Sequence, residues 1–192
     1  LLFSRGLVGF IALTGVFYSL VHLPFAEATV LQYVHPMFTA ALALFFLKER
    51  PTQGTVVCIA FSFAGLMVMV QPDFLFGRSS VDYDMIAVTI ALLGAFGSGL
   101  AYTIVRKLSA REDPSVIVMY FPLVCLPATV LLAGHDFVMP SGWVWLVLLM
   151  VGICTQVGQV ALTRGMQLET ASRASSFSYT QVVFAAILGV VL

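Results

Sequence analysis

The chemistry in this sequence is confined to a few polar side chains set in long apolar runs. Gln32, His35 and Thr39 recur at i, i+3 and i+7, the spacing that puts side chains on one face of a helix. His35 falls near the middle of its run, and its imidazole, which titrates near neutrality, could move protons as well as form hydrogen bonds. Pro36 has no N–H, so in a helix the Gln32 carbonyl loses its donor and is open to a ligand or water. Ser178 and Gln181 show the same spacing in a later run. Gln156, Gln159 and Thr163 make another stripe, and Thr14 with Tyr18 and Ser98 with Tyr102 make shorter ones. A polar group in hydrocarbon costs several kcal/mol unless partnered, so each of these lines a pathway or bridges helices. A bridge is worth about 0.6 kcal/mol. Both readings are open for Gln32, His35 and Gln181, whereas bridging suits Thr14, Ser98, Gln156 and Gln159 better.

Other chemistries lack their residues. There is no GxSG, no HExxH and no pair of aspartates within a run, so no enzyme is expected. Cys58, Cys125 and Cys154 are odd in number and far apart, with no CxxC spacing. They suggest neither a disulfide framework nor a zinc site, and read as small packing residues. No cofactor and no metal are expected. Ala91, Ala95 and Gly99 form a small-residue stripe suited to close helix packing, and no strand precedes it as a phosphate loop would require. His22 and His135 fall at the edges of runs, as do Glu27 and Arg173, which read as interfacial charges on opposite sides.

The elements that must position these groups follow from composition. Of 192 residues, 60% are hydrophobic and 9% charged, and the nine basic and nine acidic side chains cancel. An ordinary soluble domain is about a quarter charged, so the chain belongs in a lipid bilayer. The charge balance offers no basic surface for nucleic acid. About seven apolar runs are long enough to span a membrane: 6–23, 28–47, 55–70, 85–105, 116–133, 143–163 and 172–192. The period-two alternation of a membrane β-barrel is absent. Eight of the nine basic residues (Arg5, Lys48, Arg50, Arg106, Lys107, Arg111, Arg164 and Arg173) fall at one face, which should be cytoplasmic. Arg78 falls at the other face with Asp73, Asp82, Asp84 and Asp136. Pro122 and Pro127 could bend the fifth run.

The chain also repeats itself. A shift of about 146 residues lays Ala28 on Ala174, Tyr33 on Tyr179, Phe38 on Phe184, Ala40 on Ala186 and Leu42 on Leu188. It also lays Gln32 on Ser178 and His35 on Gln181. Runs one and two then pair with six and seven. An odd number of crossings separates the partners, so they run in opposite directions, a building plan common among secondary transporters.

The stretch LPFAEATVLQYVHPMFTAALALFFLKER, from Leu23 to Arg50, has an Ala-x-Ala start, a mid-helix proline and a closing acid, Glu49. It resembles the fourth helix of the EamA repeat in drug/metabolite transporters. MQLETASRASSFSYTQVVFAAIL resembles the matching helix of the second repeat, and VQPDFLFG is similar to the close of the first repeat in G-type members of solute carrier family 35. The resemblance implies an all-α polytopic membrane protein of ten helices in two inverted EamA repeats. This chain would supply about seven, the third to the ninth, as a fragment. Residues 1–72 would be the last three helices of the first repeat, 73–84 a non-cytoplasmic connection, and 85–192 four helices of the second. Pro36 meets Val182 across the repeat, so a symmetric proline kink is not implied.

The function implied is secondary transport of a small organic metabolite by alternating access, in the plasma membrane or an endomembrane. The pathway candidates are Gln32, His35, Thr39, Ser178, Gln181, Tyr18, Tyr102, Gln156 and Gln159. The partners are a small-molecule substrate and the bilayer, with proton coupling, exchange and a homodimer left open. A seven-helix receptor, or another membrane protein that does not transport, is the alternative on helix count alone.

Overall fold

The computed structural model describes residues 1–70, 84–134 and 139–191. Asp73, Arg78, Asp82, His135 and Asp136 lie outside them. The described residues form helices in seven stretches: α1 (Leu2–His22); α2 (Phe25–Gln32) and α3 (His35–Leu42), extended by a π-helical turn at Ala43–Leu47; α4 (Gln53–Val70); α5 (Met85–Ser109); α6 (Pro114–Ala133); α7 (Gly142–Leu168); and α8 (Ala171–Ser176), a 3₁₀ turn at Phe177–Tyr179, and α9 (Thr180–Val191). Five of the stretches are long and apolar enough to cross a membrane: Leu2–His22, Phe25–Leu47, Met85–Ser109, Pro114–Leu132 and Gly142–Leu168. The third expected span is a shorter apolar helix, Gln53–Val68.

Helix ends sit where polar residues can satisfy free backbone groups. Asp84 caps α5 by accepting from the Ile86 N–H at 2.9 Å. Asp113 caps α6, whose first residue is Pro114, and accepts from the Ser115 N–H at 2.8 Å. That bond, with the Ser115 hydroxyl, holds the Asp113 carboxyl below its usual range. The π-helical turn ends at Lys48, in the left-handed region at φ 57°. Helix α6 runs unbroken through Pro122 and Pro127.

Two clusters at opposite ends set the directions of the helices. Ala43, Val105, Leu108, Ile117, Met166 and Ala171 gather at one end, with Leu2 against them. Leu23, Ala28, Ala87 and Ala91 gather at the other. Helix α1 therefore runs away from the first end and α7 toward it. The α2–α3 stretch runs toward that end and α8–α9 away from it. Segments matched by the internal shift thus run oppositely.

The small-residue stripe packs closely, as expected, with Ala91 and Ala95 buried, and Gly94 next to it does the same. A Cβ on Gly94 would lie 3.3 Å from the Ala12 carbonyl oxygen and the Val16 nitrogen, so α1 and α5 meet backbone to backbone. Beside it, a Cβ on Gly99 would lie 2.9 Å from Phe38 Cβ and 3.0 Å from the Thr39 nitrogen, which seats α3 on α5. The cysteines do not all pack as expected. Cys58 and Cys154 are exposed, and Cys125 is half-buried. Glu27, expected at the interface, is buried in α2.

Candidate functional site

Both matched helices break at the matched place. The second span breaks at Tyr33–Val34, before Pro36, whose ring cannot continue the hydrogen-bond ladder. The seventh stretch has no proline there. Its Ser175 and Ser176 hydroxyls donate back to the carbonyls of Ser172 (3.1 Å) and Arg173 (2.7 Å), a pattern that loosens and bends helices, and the chain passes into the 3₁₀ turn ending at Tyr179. The breaks touch: the Tyr179 hydroxyl donates to the Tyr33 carbonyl at 2.9 Å across 146 residues, and the two rings stack at 5.9 Å.

Gln32, His35 and Thr39 share a face, and that face packs on α5. The Gln32 amide donates to Ser98 Oγ at 3.4 Å, and Ser98 donates onward to the Gly94 carbonyl at 2.9 Å. The His35 ring meets Tyr102 edge-on, centroids 5.3 Å apart. Ser178 lies against the Tyr102 phenol and Gln181 against the Tyr33 phenol. Ser98 and Tyr102 are therefore part of this cluster.

The Gln32 carbonyl is not free, contrary to expectation. His35 Nδ1 lies 2.9 Å from it, in the place Pro36 leaves vacant. A carbonyl only accepts, so Nδ1 carries a proton, and in the neutral form of the ring Nε2 is then an acceptor. Nε2 is buried without a hydrogen-bond partner, as is Gln32 Oε1. Thr39 is fully buried, but its hydroxyl donates to the His35 carbonyl at 2.9 Å and is used within the helix.

Other candidates lie elsewhere. Tyr18 stacks on His22 at 4.0 Å, near the far end of α1, and Gln156 is exposed on the outer face of α7. Gln159 accepts from Arg5 Nη2 at 3.2 Å. Arg5, counted among the eight basic residues of one face, is only 5% exposed, with its guanidinium 4.4 Å over the Phe121 ring. The local signal for this was Gly9, one turn further on, where a Cβ would lie 2.9 Å from that ring.

At the end where Ala43, Leu108 and Met166 gather, Glu49 accepts from Arg106 Nε at 2.7 Å and from the Ala171 N–H at 2.9 Å. Arg106 Nη1 also donates to the Met166 (2.7 Å) and Gln167 (3.3 Å) carbonyls. This clamp joins the closing acid of the second span to α5, α7 and α8. Among the described residues, no group of three His, Cys, Asp or Glu side chains comes together as a metal site.

Comparison with known proteins agrees with this architecture. The EamA-like transporter family matches residues 1–71 and 85–192. The chain is similar to a probable transport protein of Saccharomyces cerevisiae, 29% identical over all of this chain and 60% of that protein. It is 33% identical to the pseudopaline exporter CntI of Pseudomonas aeruginosa, over 96% of this chain and 63% of the exporter. It is 28% identical to solute carrier family 35 member G1 of Mus musculus, over 97% of this chain and 53% of the carrier. The chain thus spans little more than half the length of these relatives, all named for transport rather than catalysis. No solved structure matches significantly. With its spanning helices and the family match over both halves, the chain is an integral, multi-pass membrane protein and belongs to the EamA-like transporter family.

Proposed function

We propose that the chain is part of a secondary transporter that moves a small organic metabolite by alternating access of two inverted repeats. The repeats are residues 1–72 and 85–192, joined through 73–84, and the solute meets the protein where their broken helices cross. One observation carries this reading: His35 Nε2 and Gln32 Oε1 are buried acceptors without partners, beside the paired breaks. Buried polar atoms are nearly always satisfied, so two unsatisfied ones in one place suit a ligand that brings donors. Ser178, Gln181 and Tyr102 complete the polar lining. The pseudopaline exporter, named for an organic solute, fits the same class of cargo. His35 leaves proton coupling and exchange both open as driving forces.

His35→Asn tests the site without removing the local hydrogen bond, since an asparagine amide can reach the Gln32 carbonyl while nothing replaces Nε2. The full-length protein in proteoliposomes is offered labelled amino acids, nucleosides and organic acids in counterflow. The solute carried by the wild type should move at least tenfold more slowly in the variant, with the melting temperature changed by only about 2–4 °C. Undiminished flux would refute the role of His35.

A further inference from the structure

We infer that Arg5 is the anion-binding end of this site, so that the solute is a small organic anion carrying a carboxylate or phosphate. The inference rests on the transport reading and names its substrate class. Arg5, on α1, is 5% exposed and reaches α6 at Phe121 and α7 at Gln159. It faces Phe121, seven residues into α6, which is roughly 10 Å from the start of that helix. Its backbone is hemmed in, for a Cβ on neighbouring Gly6 would meet Val124 at 2.7 Å and the Tyr120 carbonyl oxygen at 3.2 Å.

In that packing the guanidinium is charged and poorly compensated. Arginine does not give up its proton in proteins. The ion pairs among the described residues are Arg106 with Glu49 and Arg173 with Glu169, and neither includes Arg5. What Arg5 has is a neutral amide oxygen at 3.2 Å and an aromatic face. Nε and Nη1 are buried with no hydrogen-bond partner. An uncompensated cation away from water is costly, and planar N–H donors fit carboxylate or phosphate oxygens. Arg5 also acts electrostatically on a member of the cluster around His35. Tyr102 lies in the field of the guanidinium and touches the His35 ring edge-on at 5.3 Å. An anion held by Arg5 would extend past Tyr102 and present its remaining polar groups to His35 Nε2 and Gln32 Oε1.

The test is thermal melting of the full-length protein in phosphatidylcholine nanodiscs. The probes are sodium acetate, succinate, citrate and inorganic phosphate, against acetamide, succinamide and sodium chloride. At least one anion should raise the wild-type midpoint by about 3 °C or more, with the amides and chloride inert. Arg5→Gln should lose that shift and, without anion, melt at or above the wild-type temperature, because an uncompensated charge has gone. Arg5→Lys, which keeps the charge without the planar fork, should need at least tenfold more anion. The inference is overturned if no anion shifts the wild type, if the shift survives in Arg5→Gln, or if Arg5→Gln alone unfolds the protein. Stabilisation by added phosphatidylglycerol in place of the soluble anions would assign Arg5 to lipid and overturn it too. Anion binding without solute flux would defeat the transport reading alone, and flux without an anion effect would defeat this inference alone.

Discussion

The clamp around Glu49 and Arg106 and the cluster around His35 are built from similar polar groups, and they treat them oppositely. In the clamp both Glu49 oxygens are used, one by Arg106 and one by the α8 backbone, and Arg106 also closes two carbonyls left open at the end of α7. Its two side chains are 23% and 18% exposed. The cluster is buried more deeply, with His35 at 3%, yet His35 Nε2 and Gln32 Oε1 have no partner. Leaving a buried polar atom unsatisfied costs about 1–3 kcal/mol. The groups of the clamp itself are satisfied, whereas two acceptors of the cluster, beside the point where matched helices break and touch, are not.

This contrast is sharpened most by removing the clamp's negative charge. Glu49→Gln leaves Arg106 half-buried without a counter-charge. The expected cost is about 2–3 kcal/mol, below that of a fully buried pair because both side chains keep some contact with the surface. Thermal unfolding of the purified protein should show a drop of roughly 5–10 °C. His35→Asn, in the cluster, should change melting much less and flux much more. If the two variants exchanged these signatures, the division between holding and receiving would be lost.

The next effect is steric and tests whether the cluster depends on close backbone approach. Gly99→Ala places a methyl 2.9 Å from Phe38 Cβ and 3.0 Å from the Thr39 nitrogen, neither of which is a flexible side-chain end. Helices α3 and α5 must separate, at an expected cost of about 1–3 kcal/mol, carrying Gln32 away from Ser98. Gly152→Ala on the exposed face of α7 is the control, for nothing lies within 4 Å of its Cβ position. There, better helix propensity should leave stability unchanged or raise it by up to about 1 kcal/mol. Parallel melts and counterflow of both variants check the pair, and equal losses would mean that the approach at Gly99 has no special role.

Five of the seven expected spans were legible in the sequence because apolar run length survives without coordinates, and the pairing of Tyr33 with Tyr179 was legible as a matched residue type. The matched break could be read only halfway. Pro36 announced the first, whereas the second arises from serine hydroxyls bonding to their own helix, and serine in a membrane helix usually does this without breaking it. The site was partly legible for a related reason. Spacing found the face of Gln32, His35 and Thr39, but not that His35 itself would take the Gln32 carbonyl, since that depends on a side-chain rotamer. Arg5 was hidden by its place at the start of an apolar run, where a positive charge normally marks the membrane surface. Only the packing of α1 against α6 and α7 shows it turned inward.

The smallest effect probes the point where the matched helices meet. Tyr179→Phe keeps the ring stacked on Tyr33 and removes only the hydroxyl that donates to the Tyr33 carbonyl. That carbonyl lies in the break, where no helical N–H replaces the lost donor, so the variant should lose about 1 kcal/mol rather than nothing. Tyr33→Phe is the useful contrast, because it leaves both the backbone carbonyl and the Tyr179 hydroxyl in place and alters only the phenol facing Gln181. If the contact of matched tyrosines is a pivot between the repeats, Tyr179→Phe should lower the melting temperature by about 2–4 °C and change the relative rates of uptake and efflux. Tyr33→Phe should do neither. Equal behaviour of the two variants would reduce this contact to ordinary aromatic packing and leave the pairing of the breaks without a mechanical role.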